Sequence, residues 1–144
     1  MKKRNIGRYI VYVLIAVGLS ACEAEGSGAA SDINNPLALG MAPVTHNGSI
    51  TGYPTTAGEN YYVVDIAAGG QYDITLSNFT TDLDLLVFDK AFTDVSKAIL
   101  CSSAGTTSVE TCMVSAVQTA TLTKLYVYVT NWEDANSNLT LSIN

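Results

Sequence analysis

Arginine disappears from this chain after residue 8, and positive charge of any kind is scarce beyond it. Of the seven basic residues, Lys2, Lys3, Arg4 and Arg8 fall at the start, and only Lys90, Lys97 and Lys124 follow. All 13 acidic residues lie after position 22, so three positive charges against them leave a net charge near −10 for that part. Nucleic acid is excluded as a partner, because phosphate binding needs clustered Lys or Arg. Histidine occurs once, as His46, and tryptophan once, as Trp132. No HExxH, GxSxG or Gly-rich phosphate loop is present, so the common zinc-protease, serine-hydrolase and nucleotide sites have no sequence support. There is also no apolar run of the roughly 20 residues that a membrane-spanning helix needs.

What is present at the start is an export signal. MKKRNIGR is basic, YIVYVLIAVGLSA is 13 apolar or small residues without a charge, and the stretch closes on Leu19-Ser20-Ala21-Cys22. That order matches a secretory signal, residues 1–21. The LSAC ending resembles the lipobox of bacterial lipoproteins, a leucine and two small residues before a cysteine. The resemblance implies lipidation of the Cys22 thiol and cleavage just before it, whereas an ordinary signal peptide would carry this cysteine by chance. Two or three acyl chains, at about 0.8 kcal/mol per buried CH₂, would make the anchor permanent on a cell's timescale. The segment after the cysteine, Glu23-Ala24, is not a strong inner-membrane retention signal, so the expectation is a bacterial cell envelope lipoprotein on the outer membrane.

Residues 22–43 are rich in Gly, Ala, Ser and Asn and read as a flexible tether. Within them Leu37, Leu39 and Met41 alternate, which leaves docking of LALGM onto the domain as the other reading. From Val44 to Asn144 the length suits one compact domain. Period-two alternation recurs there: Tyr62, Val64 and Ile66; Tyr72, Ile74 and Leu76; Leu125, Val127 and Val129; Leu139, Leu141 and Ile143. Each set puts apolar residues on one face and polar ones on the other, the pattern of half-wet antiparallel strands. Further segments near Ser49–Tyr53, Ala98–Ser103 and Ser108–Val117 bring the count to seven or eight strands. The fold class is all-β, an antiparallel sandwich of two sheets. AFTDVSKAI, with Phe92, Val95 and Ile99 on one face, is the only helical candidate. Cys101 and Cys112 flank the turn-like SSAGTTS and are expected to form a structural disulfide across a hairpin in an exported chain.

The run ITGYPTTAGENYYVVDIAAGGQYDITLSNFTTDLDLLVFD resembles the bacterial pre-peptidase C-terminal domain family, with Asp82-Leu83-Asp84-Leu85 as its Asp-x-Asp-Leu element. KLYVYVTNWEDANSNLTLSI is similar to that family's closing pair of strands. The resemblance covers residues 46 to 144 and implies a jelly-roll-like sandwich. It also implies a module of the kind appended to secreted proteases, some relatives binding collagen or polysaccharide and some calcium. No protease sequence accompanies the module in these 144 residues, a departure from the usual arrangement, so the expectation is an accessory role.

Three residue sets are candidates for chemistry or binding. Asp82 and Asp84 share a strand face, with carbons about 6.5–7 Å apart, and could cap turns, share a calcium ion or, as a paired-carboxylate hydrolase, do catalysis. Capping is the preferred reading and no residue is assigned as catalytic. His46 sits beside the turn-like Asn47-Gly48 and is expected in a solvated loop. Tyr126 and Tyr128 share the polar parity of their strand and Trp132 follows in the next loop, a set able to stack on sugars, proline rings or peptide planes. The functional expectation is a non-enzymatic lipoprotein binding an extracellular polysaccharide or protein. A carboxylate hydrolase and an envelope assembly factor recruiting a protein partner are the alternatives.

Overall fold

The computed structural model describes residues 30–52, 58–106 and 108–144. The signal segment 1–21, Cys22 and the first part of the tether lie outside the described residues. Among the described residues nine strands are formed: β1 (Leu37–Met41), β2 (Val44–Ile50), β3 (Glu59–Asp65), β4 (Tyr72–Ser77), β5 (Leu83–Phe88), β6 (Ile99–Ser103), β7 (Glu110–Val114), β8 (Lys124–Asn131) and β9 (Ser137–Ile143). They make a five-stranded sheet in the order β1-β3-β8-β5-β6 and a four-stranded sheet in the order β2-β9-β4-β7. No helix occurs among the described residues.

Alternation explains why the sheets face each other. Tyr62, Val64, Leu83, Leu85, Val87, Leu125, Val127 and Val129 are fully buried on one sheet. They meet Ile74, Leu76, Val114, Leu141 and Ile143 on the other, equally buried. Because side chains alternate every residue, each strand that buries these positions must turn the intervening ones outward. From β2 onward successive strands cross from one sheet to the other as in a jelly roll, except that β5 and β6 pair within the five-stranded sheet, and every pairing is antiparallel. Tyr72 closes one corner, its hydroxyl accepting from the Ala67 amide at 2.9 Å and donating to the Ala67 carbonyl at 3.0 Å.

Strand β1 corrects the expected boundary at residue 43. Residues 37–41 belong to the sheet, pairing parallel with β3 through Leu37↔Tyr62 and Ala38↔Val63. Leu37 and Leu39 are buried in the core, which is the docking alternative for LALGM. Alternation over five residues was enough to add a strand to an open sheet edge.

Two further expectations change. AFTDVSKAI forms turns, because the Asp94 carboxylate accepts from the Ser96 amide at 2.8 Å and its hydroxyl at 2.7 Å. Such local bonds compete with helix. Asp89 likewise accepts from the Ala98 amide at 2.7 Å, closing the loop. Cys101 and Cys112 are bonded, with Cα atoms 5.8 Å apart, but they do not span a hairpin. Cys101 lies in β6 and Cys112 in β7, on different sheets, so the bridge staples the two layers at one side.

Candidate functional site

The outer face of the five-stranded sheet carries the candidate site, and strand register builds it. Glu59, Thr130 and Asp84 line up across β3, β8 and β5. The next row is Tyr61, Tyr128 and Leu86, and the one after it Val63, Tyr126 and Phe88. These residues have the opposite parity to the buried set, so the face they form looks away from the core.

The far half of this face is covered from within the chain. The β5–β6 connection folds back and seats Phe92 on Tyr61, Phe88 and Tyr126, with ring centroids 5.0, 5.9 and 5.7 Å apart in edge-on geometry. Phe92 and Tyr61 are thereby buried outside the main core. Edge-on contacts of this kind add about 0.5–1.5 kcal/mol each beyond area burial. Tyr126 and Tyr128 are both half-buried, Tyr126 against Phe92 and Tyr128 against Tyr61, whereas Trp132 is 59% exposed.

The uncovered half joins aromatic rings to carboxylates. Tyr61 and Tyr128 donate to the two oxygens of Glu59 at 2.6 and 2.7 Å, with their rings 5.2 Å apart. The Trp132 indole N–H donates to Asp84 Oδ2 at 2.6 Å, and its backbone N–H donates to the Asp82 carbonyl at 3.1 Å. Burial, reinforced by the bond to Glu59 and by the charges of Glu59 and Asp84, pushes the Tyr128 phenol up to about 12. Burial also raises Tyr61, again helped by Glu59. Both phenols thus stay protonated and act as donors at physiological pH. Asp84 is raised by burial and by the charges of Asp82 and Glu110, against the lowering bonds from Trp132 and the Gly105 backbone.

Asp82 and Asp84 prove to be divided between two environments. Asp84 serves the aromatic face. Asp82 precedes β5 and lines a cavity of about 300 Å³ with Phe79, Thr80, Thr81, Thr106, Ser108 and Glu133. Asp82 Oδ1 and Thr81 Oγ1 are buried there without a protein partner. Hard oxygens of this sort suit water or calcium. Among the described residues, however, no group of three or more His, Cys, Asp or Glu is placed to hold a metal ion.

His46 corrects another expectation. It lies within β2 on the other sheet, half-buried, with its ring 5.4 Å from that of Tyr62. Burial lowers its pKa. Gly48 leaves space for the imidazole, since a Cβ at that position would stand 2.9 Å from Nε2. The reading as a loop residue failed because Asn-Gly signals a turn only when no strand partner claims it; here Asn47 and Gly48 pair with Thr140 and Leu139.

Sequence reasoning missed Glu59, Tyr61 and Phe92. Tyr61 and Glu59 share a parity that was visible, but only the pairing of β3 with β8 sets them beside Tyr128.

Together these features define a jelly-roll β-sandwich module with an acidic, aromatic outer face. A solved structure of the pre-peptidase C-terminal domain of a collagenase from Bacillus anthracis shares this fold. It superposes with a TM-score of 0.57 at 17% identity, over 74% of this chain and 92% of that one. No family model matches the chain, and no curated protein does so by sequence.

Proposed function

We propose that the chain is a non-catalytic envelope lipoprotein, anchored through Cys22, whose sandwich binds an extracellular polymer or protein on the outer face of its five-stranded sheet. The observation that carries this reading is the pair of rings held by carboxylates on this face, half-buried Tyr128 by Glu59 and exposed Trp132 by Asp84. Exposed aromatics held rigidly by hydrogen bonds bind at low entropic cost. The fold shared with a collagenase's pre-peptidase C-terminal domain supports a module without its own active site, and it carries no ligand across at this identity. The two carboxylates considered for hydrolysis are divided, one bonded to an indole and one facing a separate cavity.

The test is retention of the full chain on a panel of insoluble polysaccharides and matrix proteins, collagen included. Tyr128→Ala with Trp132→Ala should abolish retention while the melting curve stays cooperative. Retention unchanged by both substitutions would move the binding surface elsewhere. For the anchor, Cys22→Ala should shift the protein from the outer-membrane fraction to the soluble one; no shift would remove the lipid from the account.

A further inference from the structure

We propose that the occupant of this strip is a protein segment presenting arginine side chains; the proposal rests on reading the face as a binding surface. Charge is the first argument. Among the described residues the one ion pair is Lys124 with Asp65, six positions along β3 and β8 from Glu59 and Thr130. At about 3.4 Å per residue that is roughly 20 Å away. Lys90 and Lys97 are tied into the covering loop, Lys90 on Ser96 and Lys97 on the Asp94 carbonyl. Glu59 and Asp84 therefore receive phenol, indole and amide hydrogens, which orient a carboxylate without cancelling its charge. Asp82 and Glu110 lie close enough to Asp84 to deepen the negative field.

Geometry is the second argument. Glu59 and Asp84 sit one strand to either side of β8, so their backbones are about 10 Å apart, with Tyr128 and Thr130 between them. A guanidinium laid over an aromatic ring is attracted by the negative face of the ring and can donate to carboxylates on either side in its own plane. A lysine ammonium lacks both the plane and the fork. A neutral sugar is poorly served, because the polar tips of Tyr61, Tyr128 and Trp132 are already committed to carboxylates. What the strip still offers is ring surface and negative charge. A strip open to solvent suits an extended chain, whose alternate side chains recur about 7 Å apart.

Trp132 is the chain's single tryptophan, so its emission reports on this strip alone. The full chain, purified in detergent, is titrated with an alternating Arg-Ser peptide, with the same peptide in which citrulline replaces arginine, and with a neutral oligosaccharide. The arginine peptide should change the emission saturably. Its Kd should rise about tenfold or more in Glu59→Gln with Asp84→Asn, both of which keep an acceptor oxygen. A similar rise is expected between about 0.1 and 1 M salt, where the Debye length falls from ~10 to ~3 Å. If the double variant does not fold, Glu59→Gln alone should still weaken binding. An equal response to the citrulline peptide or the oligosaccharide would overturn the cationic partner while leaving a binding face. Silence from every probe would also overturn it, and retention on the polymer panel then decides separately whether the face binds anything.

Discussion

Removing the Cys101–Cys112 bridge tests the architecture at a point where local sequence misleads. The bond joins an edge strand of one sheet to an edge strand of the other, across a sequence separation of 11. In the chain-entropy model a loop of that length lowers the unfolded chain's entropy by about 9.3 cal/mol/K, or about 2.8 kcal/mol at 25 °C. A domain of about 100 residues unfolds with roughly 0.21 kcal/mol/K near its midpoint. The ratio gives a fall in Tm of about 13 °C when the melt is run with a thiol reductant present throughout. The assay is circular dichroism at neutral pH, with thiols counted by alkylation of the denatured chain under non-reducing conditions. The sequence has three cysteines, so the oxidised protein should offer no more than one thiol, at Cys22. A Tm change under about 3 °C with the bond demonstrably formed would refute the entropic reasoning. Two or more alkylated thiols would refute the bond itself.

Other outcomes follow from single residues. Gly52→Ala should destabilise by about 1–3 kcal/mol in denaturant titration, because its Cβ would stand 2.6 Å from the Asp134 backbone carbon, which cannot swing aside as a side chain can. Because burial holds His46 below its ordinary 6.5, the unfolded chain binds a proton that the fold resists. Stability should be full above pH about 6.5 and decline as pH falls below it, until the folded pKa is passed; His46→Gln should flatten that part of the profile. Calcium chelation should leave Tm unchanged, since Asp84 is held by Trp132 and Gly105. A fall of several degrees would instead assign a cation to the cavity beside Asp82.

The sandwich was legible in the sequence because burial on one face imposes a period of two, and nearly every strand between Tyr62 and Ile143 shows it. The inward set Tyr62, Val64, Leu83, Leu85 and Val87 follows directly from that parity. Pairing order was not legible. Cys101 and Cys112 look like neighbours on one hairpin, yet the strands that hold them leave for different sheets. The same limit hid the site: Tyr128 could be seen to face outward, but its contact with Tyr61 and Glu59 depends on which strand lies beside β8. Phe92 was read at helical spacing, because nothing local shows that Asp94 and Asp89 would fold the segment back over the sheet.

The added edge strand β1 has a mechanical meaning. A pull applied at residue 30 meets the Ala30–Tyr61 hydrogen bond and then β1, before any strand from β2 onward bears load. Peeling residues 30–43 from the edge would release roughly 45–50 Å of slack while the eight remaining strands keep their pairings. A chain pulled at residue 30 can thus lengthen while the rows that β3, β8 and β5 form on the outer face keep their register.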